Sequence, residues 1–200
     1  MSAVSDPVSD PGMAPWDGQE RRGERRAPAP APGSAEANIA AFLRTIRIAE
    51  GTDRTNGYRT LFGGGLFSND YVDHPRIACQ FTDQTGRKLW TSAAGAYQFM
   101  AVSAIPRTTP PRSTKVDTWD RIKRKLGLTD FAPPSQDRAA LELIDEAGAL
   151  DDVREGRFAD AIHKCKGTWA SLPGAGYGQR ERTLASLQLA YTGAGGTVAS

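Results

Sequence analysis

The strongest constraint on the fold is an apolar stripe at helical spacing that runs into an acid. In AEANIAAFLRTIRIAEG, the residues Ile39, Phe42, Leu43 and Ile46 recur at the i, i+3, i+4, i+7 spacing of one helix face. At about 100° per residue, Glu50 returns to within roughly 20° of Ile39. The pattern therefore predicts an amphipathic helix with a carboxylic acid near the middle of its buried face.

This acid has two interpretations, and the pattern leaves both open. In the first, the helix ends early and Glu50 is a solvated residue of its last turn. In the second, the side chain is partly buried at the C-terminal end of the helix, where burial and the negative end of the macrodipole both raise its pKa. A carboxylic acid that stays protonated near neutral pH can serve as a general acid.

The segment after this helix changes character. Residues 51–90 carry Asn-Gly, Gly-Gly-Gly, Asn-Asp and Thr-Gly turn signals between short aromatic or β-branched runs, which predicts a small lobe of strands and loops. The three glycines Gly63, Gly64 and Gly65 lack the strand and helix context of a nucleotide-binding loop. Close backbone packing or a lip over a groove is the preferred interpretation.

The remaining chain is dominated by helical signals. A helix is predicted through AAGAYQFMA, where a close neighbour would have to require Gly95, and another through WDRIKRKLGL, ended by Gly127. Three more helices follow: one in QDRAALELIDEAGAL capped by Ser135, one in GRFADAIHKCKGTWA stopped by Pro173, and a last one carrying Leu184, Leu187 and Tyr191. The sequence predicts an α+β fold, with a mostly helical body, a small β lobe after the first helix, and a groove between them beside Glu50.

Composition narrows the function classes. The chain has 200 residues, 39% of them hydrophobic, and a formal net charge of +2 with both signs mixed along it, which does not favour a nucleic-acid partner. No apolar run is long enough to span a membrane. With only Cys79, Cys165, His74 and His163 and no CxxC motif, we expect no metal and no cofactor. We expect the two cysteines to be buried thiols, and a disulfide between them is the alternative.

Two segments differ in composition from the rest. Residues 1–34 are rich in Pro, Ala, Gly, Ser and charge, so we expect a disordered tail ahead of a catalytic domain at 35–196. Its four clustered arginines are interpreted as a solvated linker, with contact to an anionic surface as the alternative. The Pro-rich stretch 103–115 is expected to form an exposed loop. The tail has no apolar signal-peptide core, so we expect the chain to stay in the cytoplasm unless another component releases it.

Five ordered blocks carry a specific resemblance. They read AFLRTIRIAEGTD, GGLFSNDYVDHP, TSAAGAYQF, FAPPSQDRAALELI and TWASLPGAGYGQ, and together they span about residues 37–195. In this order and spacing they resemble the endolysins of the bacteriophage lambda type. The resemblance implies a lysozyme-like fold and cleavage of the β-1,4 bond between N-acetylmuramic acid and N-acetylglucosamine in peptidoglycan glycan strands.

The resemblance also implies a mechanism and a setting. Lambda-type endolysins are lytic transglycosylases that leave a 1,6-anhydro-muramic acid, and their catalytic residue corresponds to Glu50. The resemblance implies a holin that opens the membrane, with the enzyme in the host cytoplasm until lysis and then at the periplasm and cell wall. We expect a monomer.

The residues leave alternatives to this mechanism. Related phage lysozymes that hydrolyse the bond have an aspartate nine residues after the catalytic glutamate, and that position is Arg59 here. A single acid suits a transglycosylase, because the nucleophile is the C6 hydroxyl of the substrate itself. Asp53, Asp70 and Asp73 stay open as stabilisers of the oxocarbenium ion. A hydrolytic muramidase is the alternative enzyme, and a non-catalytic wall-binding module is a less favoured one.

Six further residues are candidates for substrate binding. Tyr97 and Gln98 could hydrogen-bond an N-acetyl group or a sugar hydroxyl, with plain packing as the alternative. Tyr71, His74 and Tyr177 could stack on or bond to sugar rings, and Asp73 completes the set. His74 precedes Pro75 and is also interpreted as a hydrogen-bonding residue that fixes its loop.

Overall fold

The computed structural model describes residues 30–83, 86–101, 117–176 and 181–199. The helices are α1 (Ala35–Ala49), α2 (Thr118–Leu126), α3 (Pro133–Glu146), α4 (Leu150–Arg154), α5 (Phe158–Cys165) and α6 (Leu184–Gly193), and the strands are β1 (Cys79–Thr82) and β2 (Lys88–Thr91). The two strands pair antiparallel, with Cys79 opposite Thr91. This is the predicted α+β arrangement: a helical body with a small β lobe after the first helix.

Helix α1 is the axis of the helical body. In its predicted stripe Phe42, Leu43 and Ile46 are buried and Ile39 is half-buried, and the helix packs against α4 and α6. Ser34 caps its first turn by accepting a hydrogen bond from the Ala37 N–H at 3.1 Å. The rings of Phe42 and Phe158 meet edge to face at 6.1 Å, which ties α1 to α5. The start of α1 is therefore fixed locally, and its buried face is fixed by packing.

An aromatic cluster joins the helical body to the β lobe. Trp119 of α2 meets Phe131 edge to face at 4.5 Å, and Phe99 packs against both rings. All three side chains are fully buried. Gly127 ends α2 in a left-handed conformation, as the sequence predicts.

The helix predicted through AAGAYQFMA is wrong. The backbone groups of Ala94 and Phe99 bond to each other instead, at 3.0 and 2.9 Å, and close a tight turn that Gly95 enters at φ 80°. The Gly95 N–H donates to the Thr60 carbonyl of the β lobe, so pairing across the lobe outweighs helical propensity. The expected close neighbour of Gly95 is confirmed: a Cβ there would lie 2.8 Å from the Phe131 ring.

Other boundaries also differ from the predicted ones. Helix α3 begins at Pro133 rather than after Ser135, because Asp130 accepts the N–H of Ala132 and the Ser135 hydroxyl ahead of it. Gly148 separates α4 from α3. Helix α5 ends well before Pro173. In α6, Leu187 and Tyr191 are buried but Leu184 is not.

The structure describes both cysteines. Cys79 and Cys165 are free thiols, and Cys165 is buried while Cys79 is half-buried.

Other predictions concern segments that the structure describes only in part or not at all. The tail lies outside the described residues up to position 29, and so does all of the 103–115 stretch. The domain bounds 35–196 stay a prediction. No helix in the described ranges is both long and apolar enough to cross a membrane.

Candidate active site

Glu50 is the residue directly after α1, at its C-terminal cap. Its N–H still donates to the Ile46 carbonyl at 2.9 Å, but the next residue, Gly51, turns the chain at φ 73°. Such a left-handed position favours glycine because a Cβ would be strained there. The turn sends the backbone away from the helix axis while Glu50 stays at the helix end, facing the cleft between the helical body and the β lobe.

The loop after Glu50 is locked by Thr52. Its side chain is buried, and its hydroxyl donates to the Ala96 carbonyl at 2.6 Å and lies 3.1 Å from the Arg47 carbonyl. The Thr52 N–H returns to the Arg47 carbonyl at 2.8 Å. Gly57 packs directly against the Thr52 backbone, where a Cβ would overlap the carbonyl group. These contacts hold the acid's own loop to α1 and to the turn at Ala96.

The cleft beside Glu50 has a volume of about 1080 Å3. That is at the upper end of the range for ligand pockets, and it suits an extended ligand of several rings better than a single sugar. The end of α1 forms one wall, the β lobe another, and the segment after α5 a third, and residues of α2 and α3 complete the lining. The lining residues on these walls are Ala49, Glu50, Gly51, Arg54, Thr60, Leu61, Phe62, Gly63, Gly64, Phe81, Asp83, Leu89, Trp90, Thr91, Ala93, Gln98, Met100, Thr118, Arg121, Leu143, Gly167, Thr168, Trp169, Ala170 and Ser171.

The Glu50 carboxyl group is set up as an acid. Burial raises its pKa above the ordinary value, and a hydrogen bond from the Ser171 hydroxyl, 2.6 Å from Oε1, lowers it in part. Within the described ranges, no cation lies at ion-pair distance from Glu50, so no positive charge stabilises its carboxylate form. The structure does not support the interpretation as a solvated last-turn residue: the helix does end at Ala49, but Glu50 is half-buried and its burial raises the pKa.

A second carboxyl group, Asp83, lines the same cleft. It lies at the tip of the β1–β2 hairpin, is 9% exposed, and accepts hydrogen bonds from the Arg87 backbone at 3.0 Å and the Arg87 Nε at 2.9 Å. These bonds to the charged form tie Asp83 to the hairpin. Among the cleft residues that the structure describes, Glu50 and Asp83 are the carboxyl groups.

The three aspartates proposed as oxocarbenium stabilisers lie outside this cleft. Asp53 is bonded to Arg44 at 3.0 Å, and Asp70 is an exposed residue bonded to Arg59 at 3.2 Å. Asp73 accepts hydrogen bonds from the Trp119 indole and the Lys123 ammonium, both at 2.9 Å. None of the three is among the cleft residues, so the position of each does not support that role.

Asp73 bonds to α2 and His74 bonds to Phe99 and to its own loop, and neither is among the cleft residues. Burial raises the Asp73 pKa, but hydrogen bonds from Trp119 and neighbouring donors outweigh it and lower the pKa overall. His74 is buried, with Nε2 at 2.9 Å from the Phe99 carbonyl and Nδ1 accepting the Arg76 N–H at 3.0 Å. Burial lowers its pKa. The interpretation of His74 as a loop-fixing residue is confirmed, and its predicted contact with sugar is not supported.

The two predicted tyrosines that the structure describes, Tyr71 and Tyr97, also lie away from the cleft. Tyr97 is buried, donates to Asp137 at 2.6 Å and accepts from Arg47 at 3.0 Å, so its hydroxyl is committed inside the protein. Tyr71 is half-buried beneath the Arg59 guanidinium, 5.1 Å from the ring centre. Neither lines the cleft, and Tyr177 lies outside the described residues.

Among the predicted binding residues that the structure describes, Gln98 is the one that lines the cleft. It adopts a left-handed backbone conformation, φ 50°, in the Ala94–Phe99 turn. Its amide nitrogen donates to the Gly95 carbonyl at 2.9 Å. The side chain is thus held in place at the cleft wall before any ligand arrives.

Sequence reasoning missed several cleft residues. Phe62 and Phe81 pack with ring centres 5.0 Å apart, and with Trp90 they line the β-lobe wall. Alternation in β1 offered a signal for Phe81, because alternate strand residues share one face. Ser171 lies 121 residues from Glu50, and no local pattern connects the two. In the described ranges, no group of three His, Cys, Asp or Glu side chains is placed to hold a metal ion.

Comparison with known proteins identifies the family. The endolysin family model matches residues 40–198. The chain belongs to the endolysin family. This endolysin is 41% identical over 164 residues to the endolysin of Escherichia phage lambda, covering 79% of this chain and 91% of that protein. It is 40% identical over 176 residues to the endolysin of Escherichia phage P2, covering 81% and 95%.

Solved structures agree with this assignment. The endolysin is similar to bacteriophage lambda lysozyme complexed with a chitohexasaccharide, with a TM-score of 0.69, 38% identity, and coverage of 82% of this chain and 97% of that one. A second structure of lysozyme from phage lambda matches with a TM-score of 0.63 at the same identity and coverage. The predicted lysozyme-like fold is confirmed, and the endolysin is a lysozyme-like enzyme that degrades peptidoglycan.

Proposed function

We propose that this endolysin is a lytic transglycosylase in which Glu50 is the one catalytic acid. It would cleave the β-1,4 bond between N-acetylmuramic acid and N-acetylglucosamine and leave a 1,6-anhydro ring on the muramic acid. The observation that carries the proposal is that the two carboxyl groups described in the cleft have different surroundings. Glu50 is half-buried, its pKa is raised by burial, and no cation of the described residues pairs with it, whereas Asp83 is bonded to Arg87 in the hairpin tip.

The first step uses Glu50 as an acid. Its raised pKa keeps a proton on the carboxyl group, and that proton passes to the glycosidic oxygen as the bond from C1 to this oxygen breaks. The glucosamine leaves with a free hydroxyl, and positive charge develops at C1 of the muramic acid. The carboxylate that remains is stabilised by the Ser171 hydroxyl, which donates to it at 2.6 Å.

The second step uses the same group as a base. The C6 hydroxyl oxygen of the muramic acid bonds to C1, and its proton passes to the Glu50 carboxylate. Water is not consumed, and Glu50 returns to its protonated form. Because the nucleophile is part of the substrate, its effective concentration is high and no second carboxylate has to position water. The position where hydrolysing relatives carry an aspartate is Arg59, which lies outside the described cleft lining.

Hydrolysis is the second candidate, and one observation favours it. Asp83 lines the same cleft as Glu50, so a rearrangement that broke its bonds to Arg87 would supply a second carboxylate. In an inverting hydrolase two such groups stand about 6.5–9.5 Å apart, with a water between them. A hydrolytic muramidase using Asp83 would leave reducing muramic acid ends.

Product analysis separates the two candidates. Purified peptidoglycan is digested and the fragments are weighed by mass spectrometry: anhydro ends, lighter by one water, support transglycosylation, and reducing ends overturn it. Asp83→Asn should leave the rate on the same substrate within about twofold, because the proposed chemistry does not use this carboxylate. Loss of activity in this variant together with reducing ends would establish hydrolysis.

The role of Glu50 is tested by Glu50→Gln. The amide is nearly isosteric and keeps an acceptor for Ser171, but it cannot donate the proton, so lysis should fall by at least about a thousandfold. Glu36→Gln is the matched control, since it makes the same chemical change at the exposed start of the same helix. Equal activity in wild type and Glu50→Gln would refute the assignment.

The setting of the reaction is also part of the proposal. We propose that a monomer accumulates in the host cytoplasm and reaches the wall after a holin opens the inner membrane. The family resemblance supports this route. Lysis by protein added outside cells should therefore require an outer membrane that has first been made permeable.

A further inference from the structure

A second, smaller hollow adjoins the cleft. It has a volume of about 310 Å3 and is lined by Arg54, Thr55, Asn56, Gly64 and Leu66. Arg54 and Gly64 also line the main cleft, so the two spaces meet at these residues. The hollow is therefore a side branch of the cleft, and it begins four residues after the catalytic Glu50 in the chain.

Arg54 differs from the other cation that lines the described part of the cleft. Arg121 is bonded to Glu146 at 2.7 Å, so its charge is already compensated. Arg54 has no carboxylate partner among the residues that the structure describes. Its guanidinium lies 3.5 Å from the Thr60 hydroxyl. It also lies close to Gly64, where an added Cβ would be 3.7 Å away. An uncompensated guanidinium therefore stands where the two spaces join.

The rest of the hollow is a mixture of polar and apolar surface. Leu66 is 51% exposed, which is high for a leucine, and Thr55 and Asn56 are exposed polar residues. A site of this composition suits a ligand that carries both an anionic group and short apolar side chains. A glycan chain alone has neither in its ring backbone.

We propose that this side hollow binds the peptide stem of the muramic acid, with the Arg54 guanidinium pairing with a stem carboxylate. This inference rests on the proposed function, because the substrate must lie in the cleft beside Glu50. Each muramic acid carries a lactyl group from which the stem branches sideways off the glycan, and the stem holds carboxylates and alanine methyl groups. A guanidinium binds a carboxylate through two parallel hydrogen bonds, which an ammonium cannot reproduce.

The test compares variants on two substrates. Glycan strands from purified walls are used with their peptides attached, or after an amidase has removed the peptides and left the free lactyl carboxylate. Arg54→Ala should lower kcat/KM about threefold to tenfold on peptide-bearing strands and less than twofold on stripped strands. Arg54→Lys should lie between this variant and wild type on peptide-bearing strands. The preference should weaken at high salt because the hollow is open to solvent.

Two further variants control this comparison. Arg44→Ala removes an exposed arginine paired with Asp53 outside the cleft and should leave both rates unchanged. Asn56→Asp puts a negative charge into the hollow without changing Arg54, and it should reproduce the selective loss on peptide-bearing strands. Thermal unfolding of each variant confirms that the protein is folded.

The outcomes are distinct. An equal loss on both substrates would mean that Arg54 contacts the glycan that both substrates share, and it would overturn the inference. An unchanged rate of Arg54→Ala on peptide-bearing strands would also overturn it. Failure of the wild type to cut either substrate would instead overturn the proposed function itself.

Discussion

Gly57→Ala is expected to damage both stability and lysis, because this glycine packs against the backbone that carries the active-site loop. A Cβ at position 57 would lie 3.0 Å from the Thr52 carbonyl carbon and closer still to its oxygen, whereas ordinary contact begins at 3.4 Å. The Thr52 carbonyl also accepts the Arg54 N–H at 2.7 Å, so it cannot rotate away without breaking that bond. The backbone itself has to move.

The magnitude follows from the nature of the contact. Overpacking a close-packed site costs about 1–3 kcal/mol, and contact with backbone rather than a flexible side chain favours the upper end. At about 2–4 °C per kcal/mol for a chain of this size, Tm should fall by roughly 6–12 °C. Thr52 is two residues from Glu50, and a misplacement of about 1 Å at a reacting group can lower the rate about a hundredfold.

The assay separates the two effects. Tm is measured by circular dichroism, and lysis is measured at about 20 °C, well below Tm, so that lost activity reflects geometry and not unfolding. Gly193→Ala is the matched control, because a Cβ there meets nothing within 4 Å and the residue lies at the end of α6. Its Tm should be unchanged or slightly raised, since alanine is the better helix former. Wild-type Tm and lysis in Gly57→Ala would refute the reasoning.

The remaining predictions concern the acid and the cleft wall. Ser171→Ala removes a donor to the Glu50 carboxylate, so the pKa of Glu50 should rise further and the alkaline limb of the lysis rate should move to higher pH; an unchanged or lower limb would contradict this. In urea unfolding, Glu50→Gln should be more stable than wild type, and the difference should grow as pH increases. Burial raises the pKa of Glu50 in the folded state, so the wild type loses stability as pH rises through that pKa, whereas the amide does not titrate. The two proteins should have equal stability at pH below the ordinary range of a glutamate. Trp90→Ala should raise KM about tenfold, because a sugar covering roughly 60 Å2 of the ring at about 25 cal/mol/Å2 gains about 1.5 kcal/mol; Trp90→Phe should keep most of this affinity, and equal KM values for all three would exclude Trp90 from binding.

The parts of the fold that sequence predicts well are those specified by near neighbours. The period of Ile39, Phe42 and Ile46 predicted α1, and glycine at position 127 predicted where α2 ends. The Ala94–Phe99 turn was predicted as a helix because its alanines favour one. Its backbone bonds instead to the β lobe, which a local pattern does not contain.

The residues of the candidate site also differ in whether a local pattern predicts them. Glu50 was identified because it interrupts an apolar face, a feature of a few adjacent turns. The side-chain chemistry of His74 and Tyr97 suits sugar binding, yet both residues are buried with their polar atoms already bonded. Chemistry alone does not reveal exposure, which depends on what packs against a side chain.

The local pattern of residues is enough to place an acid at the end of an amphipathic helix, next to a lobe of turns and short strands. The surroundings of that acid come from long-range packing. Ser171, 121 residues away, reaches its carboxyl group, Asp83 is tied to Arg87, and Arg54 has no carboxylate partner in the described part of the chain. The two differ because helical periodicity is set by residues three or four apart, whereas burial, and with it the raised pKa of Glu50, exists only when distant segments together exclude water.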